Sequence, residues 1–580
     1  MTTTDIEQET RFEGSGVFDP ERLRGLPGVS RVREEQLEEL DALYYDTAGL
    51  RLLAHGITLR RRTGGHDAGW HVKLPAAAAT AAGDRGNRRE IHAPLKAGKA
   101  GNVPGELNRH LKAYTRGEEL VPVVHLRTHR GRYLLLDRRE RCLAEVAHDR
   151  VAAQVLGTER LHPAGNGRGA APAGGRSRRA GTDRDAAAKT LTVVRPGPGA
   201  EPAAGAEPAR GAGWAGGHLA GSGTSTQVTH WTEIEIEKDQ GGAKLMRAAA
   251  ELLQDSGWHA SPSAHKLGHA LAGGLPEEFG DPEPGRRPKA GSAGEAVMAR
   301  LGDQLGVLLR GDAAVRADES DAVHRMRSTG RRLRSVLRGS RRVLDRRRTD
   351  PVAAELRWLT GVLGSSRDHE VLAAQLRKQA GALTDPADKA LARRIGAQET
   401  ERHRAAQRAA VRALDSPRYH ALLDALENLQ AEPPLLGKAA GPAAEHLGKV
   451  AARDRRRLAG RITAAMEAGR GPAGDRALYK ARKAARRSRH TAEAALPYGG
   501  RKAARLRDRT KALQQVLGDH QDAVMARAAL PDLAAAAHAA GLDTFGYGRL
   551  HGLQNALARA ARDRLPAAWD KAADPALARF

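Results

Sequence analysis

The segment VHRMRSTGRRLRS at residues 323–335 recurs without a gap as LYKARKAARRSRH at residues 478–490. These segments begin at 323 and 478, an offset of 155 residues. A second pair, LGSSRDHEV from residue 363 and LGDHQDAVM from residue 517, has an offset of 154 residues. Two separate pairs at nearly one offset indicate an internal duplication. We therefore predict two copies of a helical unit, related by approximate two-fold symmetry, with about four helices in each.

Each copy carries a stripe of basic residues along one predicted helix. Spacings of 3 and 4 residues place the members of a stripe on one helical face. They are His324, Arg327, Arg331, Arg334 and Arg338 in the first copy and Tyr479, Arg482, Arg486 and Arg489 in the second. Like charges one turn apart destabilise an isolated helix, and the planar guanidinium suits phosphate. The stripe thus predicts a bound phosphate polyanion, with a solvated or acid-paired basic face as the alternative.

The composition limits the classes of partner. A chain of 580 residues is too long for one core, so two or more domains are expected. Lys and Arg number 95 against 69 Asp and Glu, a formal net charge of +26 that attracts nucleic acid, anionic membrane or polyphosphate. Cys142 is the single cysteine, which fits a reducing compartment. Because the sequence also has no long apolar run and no signal-like start, we predict a cytoplasmic protein.

The periodicity of the sequence changes along the chain. Short β-like runs fill residues 6–155, and a further run, WTEIEIEK, lies at 231–238. Between them, residues 157–227 are rich in Gly, Ala, Pro and Arg, which predicts a disordered insertion. From residue 295 the apolar period is helical. The predicted fold class is α+β, with an antiparallel β-barrel and flanking helices at 5–272, a linker at 273–291 and an all-α domain at 292–570.

Acidic and basic side chains alternate along the predicted strands, so each set projects from one face of its strand. The sets are Glu7, Glu9 and Arg11; Arg60 and Arg62; His71 and Lys73; Arg88 and Glu90; and Glu233, Glu235 and Glu237. If these faces turn inward, the barrel is lined by acids on some strands and by bases on others. Such a lining suits phosphoryl transfer, in which carboxylates bind Mg²⁺ or Mn²⁺ and basic groups hold phosphates. Solvent-facing strand edges are the alternative interpretation.

The helical half resembles the CHAD domain, a conserved-histidine α-helical domain implicated in binding inorganic polyphosphate. The resemblance rests on HxxRxxxRRLRS at 324–335, LGxxRD at 363–368 and LGxHQD at 517–522. Two positions depart from the family pattern: Tyr479, where a second histidine is usual, and Gly330, where a helix-favouring residue is usual. The resemblance implies a basic polyphosphate channel lined by His324, Arg327, Arg331, Arg334, Arg482, Lys483, Arg486 and Arg489, with His520 nearby.

The first half resembles CYTH domains, the triphosphate tunnel metalloenzymes. The stretch from Glu7 to Arg11 is a variant of the ExExK signature, with Arg11 in place of lysine, and YYDT at 44–47, GITLRRR at 56–62 and WHVKLP at 70–75 follow in family order. The resemblance implies catalytic roles for Glu7, Glu9 and Arg11. It also implies metal ligands at Glu7, Glu9, Glu145, Glu233 and Glu235, and substrate-binding residues at Arg60, Arg62, Lys73, Arg88 and Arg130.

Together the resemblances imply a metal-dependent inorganic triphosphatase whose helical domain binds polyphosphate, in the cytoplasm and at polyphosphate granules. A non-catalytic polyphosphate scaffold is the second hypothesis, because Arg11 and the insertion depart from the family. Nucleic-acid binding rests on charge alone, and an aromatic content of 3% provides few stacking surfaces. We expect no specific nucleic acid and no membrane as partner. An organic triphosphate as substrate, the identity of the metal, the phosphate-chain length and the oligomeric state stay open.

Overall fold

A computed structural model of the chain describes residues 3–75, 87–156, 228–263, 265–272, 288–381 and 386–574. Within these ranges, the side chains of residues 3–8, of residues 365–371 and of a few single positions lie outside the description. The predicted insertion at 157–227 and most of the predicted linker also lie outside the described residues. Within the described ranges, no helix has both the length and the apolar character that a membrane crossing requires.

The first domain is built on a ten-stranded antiparallel sheet. Its strands are β1 (Thr3–Glu13), β2 (Arg31–Glu34), β3 (Glu38–Asp46), β4 (Thr58–Thr63), β5 (Gly69–Pro75), β6 (Asn87–Pro94), β7 (Val121–Leu136), β8 (Cys142–Val155), β9 (Val228–Lys238) and β10 (His259–Ala260). The order is β10–β1–β6–β5–β4–β3–β7–β8–β9, with β2 beside β7 and a further pairing of β9 with β1. Eight of the strands, from β1 through β6, β5, β4, β3, β7 and β8 to β9, therefore form a circuit in which β9 pairs with β1. This arrangement gives the sheet an inner and an outer face.

The outer face of this sheet is apolar and is covered by helices. The helices on this face are α1 (Arg51–Ala54), α2 (Gly105–Thr115) and α3 (Ala243–Asp255), whereas α4 (Lys266–Ala272) packs against the inner face. Trp70 and Val72 of β5 are fully buried in one cluster with Leu107 of α2. Phe12 of β1 is buried in a second cluster with Leu253 of α3. Because successive strand residues point to opposite faces, the charged residues that alternate with these apolar ones lie on the inner face.

The second domain is all-α, which confirms the predicted order of a β domain followed by a helical one. Its helices are α5 (Ala293–Arg316), α6 (Ala322–Gly339), α7 (Arg346–Gly381), α8 (Pro386–Leu414), α9 (Pro417–Ala431), α10 (Ala443–Glu467), α11 (Pro472–Ala494), α12 (Leu496–Ala539), α13 (Phe545–Asp563) and α14 (Leu565–Ala573). Each copy thus holds five described helices, rather than about four. The additional helix is a short last one, α9 or α14, with a proline in its first turn.

The two copies meet at the starts of α5 and α10. The backbone N–H of Ala293 donates to the carbonyl of Gly441 at 2.7 Å, and that of Ala443 donates to the carbonyl of Gly291 at 3.0 Å. Ser292 also forms an antiparallel bridge with the residue that precedes α10. Reciprocal contacts of this kind are what a local two-fold relation produces. They agree with the symmetry that the sequence repeat predicts.

The two domains share one hydrophobic core. Leu107 and Leu111 of α2 belong to the same buried cluster as Leu301 and Leu305 of α5. Ion pairs surround this contact, and the guanidinium of Arg116 lies 2.9 Å from a carboxylate oxygen of Asp424 and 2.5 Å from one of Glu427, both on α9. Since the apolar contact and the charged contacts join the same elements, the domains pack as one body.

Candidate functional site

Three carboxylates meet on the inner face of the sheet. Oxygens of Asp149 on β8 and of Glu233 and Glu235 on β9 all lie within 4.8 Å of one another. The strand register brings them together, because Asp149 is the direct partner of Glu233 and Glu235 is the next residue on the same face. Carboxylates at such distances repel one another unless cations compensate their charge.

Lys266, the first residue of α4, supplies one compensating cation. Its Nζ lies 2.9 Å from Asp149, 2.5 Å from Glu233 and 2.7 Å from Glu235. The ammonium group is buried, which by itself lowers the pKa of Lys266, but the three carboxylates raise the pKa above its ordinary value. Lys266 therefore stays protonated at neutral pH and ties α4 to the two strands.

Two guanidiniums complete the cluster. The guanidinium of Arg11 lies 2.6 Å from Glu233 and 2.7 Å from Glu235, and that of Arg130 lies 2.6 Å from Asp149 and 2.5 Å from Glu235. Burial raises the pKa of Glu235, but the cations around it hold the pKa well below the ordinary value. The pKa of Asp149 is lowered in the same way. The cluster thus consists of three carboxyl groups and three basic side chains.

The strands opposite this cluster carry further bases. Burial lowers the pKa of Arg62 to about 9, and the guanidiniums of Arg60 and Arg130 act in the same direction. Arg60 also lies 3.5 Å from the hydroxyl of Tyr44. The guanidinium of Arg88 donates to the carbonyl of Gly56 at 2.9 Å. Because guanidiniums close to one another repel, an anion between them would be stabilised.

The structure does not gather all five predicted metal ligands into one cluster of described side chains. Glu145 instead receives two hydrogen bonds from Arg132, at 2.8 and 2.7 Å. Glu9 pairs with Lys73 at 3.5 Å. The side chain of Glu7 lies outside the described residues. The acids that do come together are the predicted Glu233 and Glu235, joined by Asp149.

Sequence reasoning missed Asp149 and Lys266. Asp149 ends the segment AEVAHD at residues 144–149 and lies four residues after Glu145, so the period of two could have assigned it to the same strand face. Lys266 follows two loops and a short strand, and nothing in its neighbourhood marks it as a partner of β8 and β9. Only the packing of α4 against the sheet brings its ammonium group to the carboxylates.

The donor set of the cluster fits a hard divalent cation. Three carboxylate oxygens close together are the ligand type that Mg²⁺ and Mn²⁺ prefer. Asp149, Glu233 and Glu235 form the only such group of acids, histidines and cysteines within the described part of the chain. Lys266 and Arg11 contact the same oxygens, so a metal ion would share or displace these contacts.

In the helical domain, the two basic stripes lie close to each other. Burial lowers the pKa of Arg486 on α11 to about 10, and the guanidiniums of Arg482 and of Arg327 on α6 act in the same direction. The influence of Arg327 shows that the stripe of the first copy approaches that of the second. Tyr479, at the head of the second stripe, lies under the ammonium of Lys483 at 4.3 Å from the ring centroid. This cation–π contact orients Lys483.

The remaining stripe residues have different surroundings. His324 is exposed and Arg331 is half-buried, whereas burial and then Arg338 and Arg357 lower the pKa of Arg334. Arg489 pairs with Glu493 at 3.2 Å. His520 is buried and pairs with Asp475, on the same helix as the second stripe, at 3.3 Å. The charge interaction between the two stripes thus involves Arg327 of the first and Arg486 of the second.

The second repeated motif explains how these guanidiniums are accommodated. A Cβ atom on Gly364, the glycine of LGSSRD, would lie 2.9 Å from Nη2 of Arg327. A Cβ atom on Gly518, the glycine of LGDHQD, would lie 3.8 Å from Nε and Nη2 of Arg482. Gly364 corresponds to Gly518 just as Arg327 corresponds to Arg482. Each copy therefore uses the same contact between a motif glycine and a stripe arginine.

Gly330, the unusual residue within the first stripe helix, lies where α6 crosses α7. A Cβ atom at this position would lie 2.8 Å from Cγ2 of Thr360. A distance this short requires the Thr360 side chain or one of the two helices to move. The glycine thus permits the close approach of α6 to α7 at this point, which accounts for its presence in a helix.

Comparison with known proteins agrees with this architecture. Residues 5–157 match the model of the CYTH domain, and residues 299–531 match the model of the CHAD domain. Two proteins of Mycobacterium tuberculosis, named Uncharacterized protein MT2285 (strain CDC 1551 / Oshkosh) and Uncharacterized protein Rv2226 (strain ATCC 25618 / H37Rv), are each 33% identical to the chain over 571 residues. The match covers 98% of this chain and 96% of each relative.

Two solved structures are also similar. PptA from Streptomyces chartreusis has a TM-score of 0.41 and 24% identity, and the match covers 48% of this chain and 99% of that one. The CHAD domain from the plant Ricinus communis has a TM-score of 0.40 and 24% identity, with 50% of this chain and 97% of that one covered. Because the curated relatives match almost the whole chain and both domain models occur in this order, the chain belongs to the family of tandem proteins with a CYTH domain followed by a CHAD domain.

Proposed function

We propose that the CYTH domain hydrolyses inorganic triphosphate, or a similar short phosphate chain, with Mg²⁺ or Mn²⁺, and that the CHAD domain binds polyphosphate. The two domains indicate a function related to phosphate chains. The observation that carries the finer proposal is that the inner face brings three carboxylates together and also carries the guanidiniums of β4. The carboxylates of β8 and β9 form one cluster, and the guanidiniums of Arg60 and Arg62 stand on β4 across the sheet.

In this proposal the acids and bases have different tasks. Asp149, Glu233 and Glu235 would hold the metal, which when bound polarises a phosphoryl oxygen and activates water. Arg60 and Arg62 would bind phosphate oxygens through paired hydrogen bonds and compensate the charge that develops during transfer. Lys73, Arg88 and Arg130 stay proposed substrate-binding residues, and Glu7, Glu9 and Arg11 stay proposed catalytic residues from the family resemblance.

Lys266 and Arg11 would set the charge of the metal site. In the structure they neutralise carboxylates that would otherwise repel one another. When a metal ion and a phosphate chain bind together, the ion can take over this neutralisation at the carboxylates. The released ammonium and guanidinium groups can then face the phosphate. Binding of metal and substrate would therefore be linked, since each favours the arrangement that the other requires.

The proposed polyphosphate site lies at the approach of the two stripes. Burial and then the charges of Arg482 and Arg327 lower the pKa of Arg486. A phosphate chain would relieve this repulsion and would contact Arg327 and Arg482 at the same time. His324, Arg331, Arg334, Lys483 and Arg489 would extend the contact surface, and His520 would support it through α12.

A non-catalytic scaffold is the alternative that one observation favours. The carboxylates that a metal requires already have cationic partners in Lys266 and Arg11. If these contacts persist with substrate present, the CYTH domain binds phosphate chains without turnover. The predicted result would then be binding of triphosphate in the absence of phosphate release.

The decisive experiment measures phosphate release from triphosphate by the full chain with Mg²⁺ or with Mn²⁺. We expect turnover in the wild type, and a loss of two or more orders of magnitude in Glu235→Gln, because removing a charge that is used in the transition state costs several kcal/mol. Glu251→Gln, at an exposed position of α3, is the matched control. Retention of full activity in Glu235→Gln would reject the proposed metal site, and inactivity of the wild type with tight substrate binding would support the scaffold.

A further inference from the structure

A second basic cavity lies at the start of α10. Its volume is about 570 Å³, which is within the range of small-molecule sites. The end of α6 at Gly339, the short 3-10 helix Gly437–Ala440 and the first four turns of α10 form its walls. None of its lining residues belongs to the two basic stripes or to the inner face of the sheet. The proposed function does not use this cavity.

The lining of the cavity is strongly cationic. It includes five Lys and Arg residues but only one acid, Glu445, which forms an ion pair with Lys449. The five cations and one acid leave a formal charge of +4 when histidine is neutral. The basic residues are Arg342, Lys438, Lys449, Arg453 and Arg456, and His446 lies among them.

Two of these side chains are half-buried. Arg453 is half-buried and its guanidinium donates to the carbonyl of Gly339 at 3.2 Å. The buried Nε2 of His446 has no hydrogen-bond partner in the structure. Burial lowers the pKa of His446, and the charges of Arg453 and Lys449 act in the same direction. The neutral imidazole can therefore donate one hydrogen bond to a ligand in the cavity.

The start of α10 adds a further positive end. Pro442 occupies the N-cap and provides no side-chain hydrogen bond to the first turn. At the corresponding start of α5, the hydroxyl of Ser292 accepts a hydrogen bond from the N–H of Glu295 at 3.2 Å. The N-terminus of α10 thus keeps its partial positive charge toward the cavity.

The duplication does not account for this charge. Helices α5 and α10 begin at residues 293 and 443, an offset of 150 residues. With this offset, the positions of Lys449, Arg453 and Arg456 correspond to those of an alanine, an aspartate and a glycine on α5. These counterparts are Ala299, Asp303 and Gly306. The three basic residues that α10 contributes to the cavity therefore have no basic counterparts on α5.

We propose that this cavity is a separate binding site for a phosphate-type polyanion, such as diphosphate or the end of a phosphate chain. A ligand with one carboxylate would leave most of the +4 charge uncompensated, whereas each phosphoryl unit adds negative charge and several acceptor oxygens. The guanidiniums of Arg342, Arg453 and Arg456 can each donate two hydrogen bonds to such oxygens. The helix start and the imidazole of His446 add further donors.

The test follows the reactivity of individual lysines in the full chain. Lys438 and Lys449 line the cavity, and Lys511 on α12 is an exposed lysine outside it. Acetylation rates are measured by mass spectrometry with and without methylenediphosphonate, a diphosphate analogue whose P–C–P linkage cannot be hydrolysed, at about 0.15 M salt. We expect the analogue to slow acetylation of Lys438 and Lys449 at least threefold and to leave Lys511 unchanged. Equal slowing of all three lysines would overturn the proposal.

Variants then locate the ligand. Arg456→Gln changes an exposed wall residue and should weaken the protection of Lys438 and Lys449 by the analogue at least fivefold. Arg461→Gln, at an exposed position of the same helix outside the cavity, is the matched control and should keep the protection. Loss of protection in Arg461→Gln as well would overturn the proposal, since the effect would then be general to α10.

A stripe variant separates this site from the proposed polyphosphate channel. Arg327→Gln should leave the protection of the two cavity lysines intact, and its loss in that variant would assign the ligand to the stripe and overturn the proposal. Parallel titrations with inorganic phosphate and with long-chain polyphosphate distinguish the sources. We expect the diphosphate analogue and polyphosphate to protect the two lysines at far lower concentrations than inorganic phosphate does.

Discussion

The Nζ of Lys266 on α4 lies 2.5 Å from Oε1 of Glu233 on β9. The same nitrogen contacts Asp149 at 2.9 Å and Glu235 at 2.7 Å, so one ammonium group joins a helix to two strands. Glu233 and Glu235 are the acids on β9 that we propose as metal ligands. The ammonium group and a metal ion therefore compete for the same oxygens.

The first prediction follows from this competition. Replacement of Lys266 by alanine should raise the affinity of the full chain for Mn²⁺, in the absence of phosphate, on the order of tenfold, or ~1.4 kcal/mol. Electron paramagnetic resonance, which detects free Mn²⁺ during a titration, measures this affinity. Lys244→Ala, at an exposed position of α3, is the control. Equal Mn²⁺ affinity in the wild type and in Lys266→Ala would argue against metal binding by these carboxylates.

The second prediction concerns the stability of the cluster. Glu235→Gln removes a carboxylate that lies 2.7 Å from Arg11, 2.5 Å from Arg130 and 2.7 Å from Lys266. Removing one member of a buried ion pair typically lowers the free energy of unfolding by about 3–5 kcal/mol. Urea unfolding at pH 7 should show a loss in this range, whereas Glu251→Gln should stay within about 0.5 kcal/mol of the wild type. A change below about 1 kcal/mol in Glu235→Gln would contradict the role of the cluster in stability.

The third prediction is a pH dependence of unfolding. The pKa of Asp149 and that of Glu235 are lower in the folded protein than their ordinary values, because burial is outweighed by neighbouring cations. Such groups stabilise the fold above the ordinary carboxyl pKa of about 4, and this stabilisation is lost as the pH falls through the folded-state values. The urea concentration at which half of the protein is unfolded should therefore decrease once the pH is lowered below about 4. The decrease should be smaller in Glu235→Gln, and parallel pH profiles would refute the explanation.

The fourth prediction tests the contact between the repeated motifs. Gly364→Ala would place a Cβ atom 2.9 Å from Nη2 of Arg327 and push the guanidinium out of its position. We expect polyphosphate affinity to decrease about threefold to tenfold, with little loss of stability, because a flexible side chain can move. Gly361→Ala on the same helix has no atom within 4 Å of the new Cβ and should bind normally, with a stability gain of up to about 1 kcal/mol. Equal affinities of the two variants would contradict the prediction.

The fifth prediction concerns the residue that departs from the family signature. Arg11 contacts Glu233 and Glu235 through the same nitrogen, at 2.6 and 2.7 Å. A lysine ammonium can make both contacts, so Arg11→Lys should keep triphosphate turnover within about tenfold of the wild type, whereas Arg11→Gln should lose more than that. Initial rates of phosphate release measure the difference. Equal losses in the two variants would show that the guanidinium itself is required.

Much of the architecture was predictable because its signals are local. The period of two along segments such as WTEIEIEK assigns Glu233 and Glu235 to one strand face whatever the rest of the chain does. The repeat offset identified the duplication, and the spacings of 3 and 4 residues placed Arg327 and Arg331 on one helical face. The strand and helix faces depend on neighbours within a strand or a turn, and the duplication follows from comparing the sequence with itself, so the sequence alone determined these features.

Other features depend on how distant segments pack. Sequence could not choose between Glu145 and Asp149 as the third acid of the cluster, since both occupy the same face of β8. The pairing of Glu145 with Arg132 and the arrival of Lys266 from α4 made that choice. In the helical domain, the sequence determined each basic stripe. Only the packing of α6 near α11 decided that Arg327 and Arg486 lie close enough for their charges to interact, because the distance between two helices depends on the core that separates them.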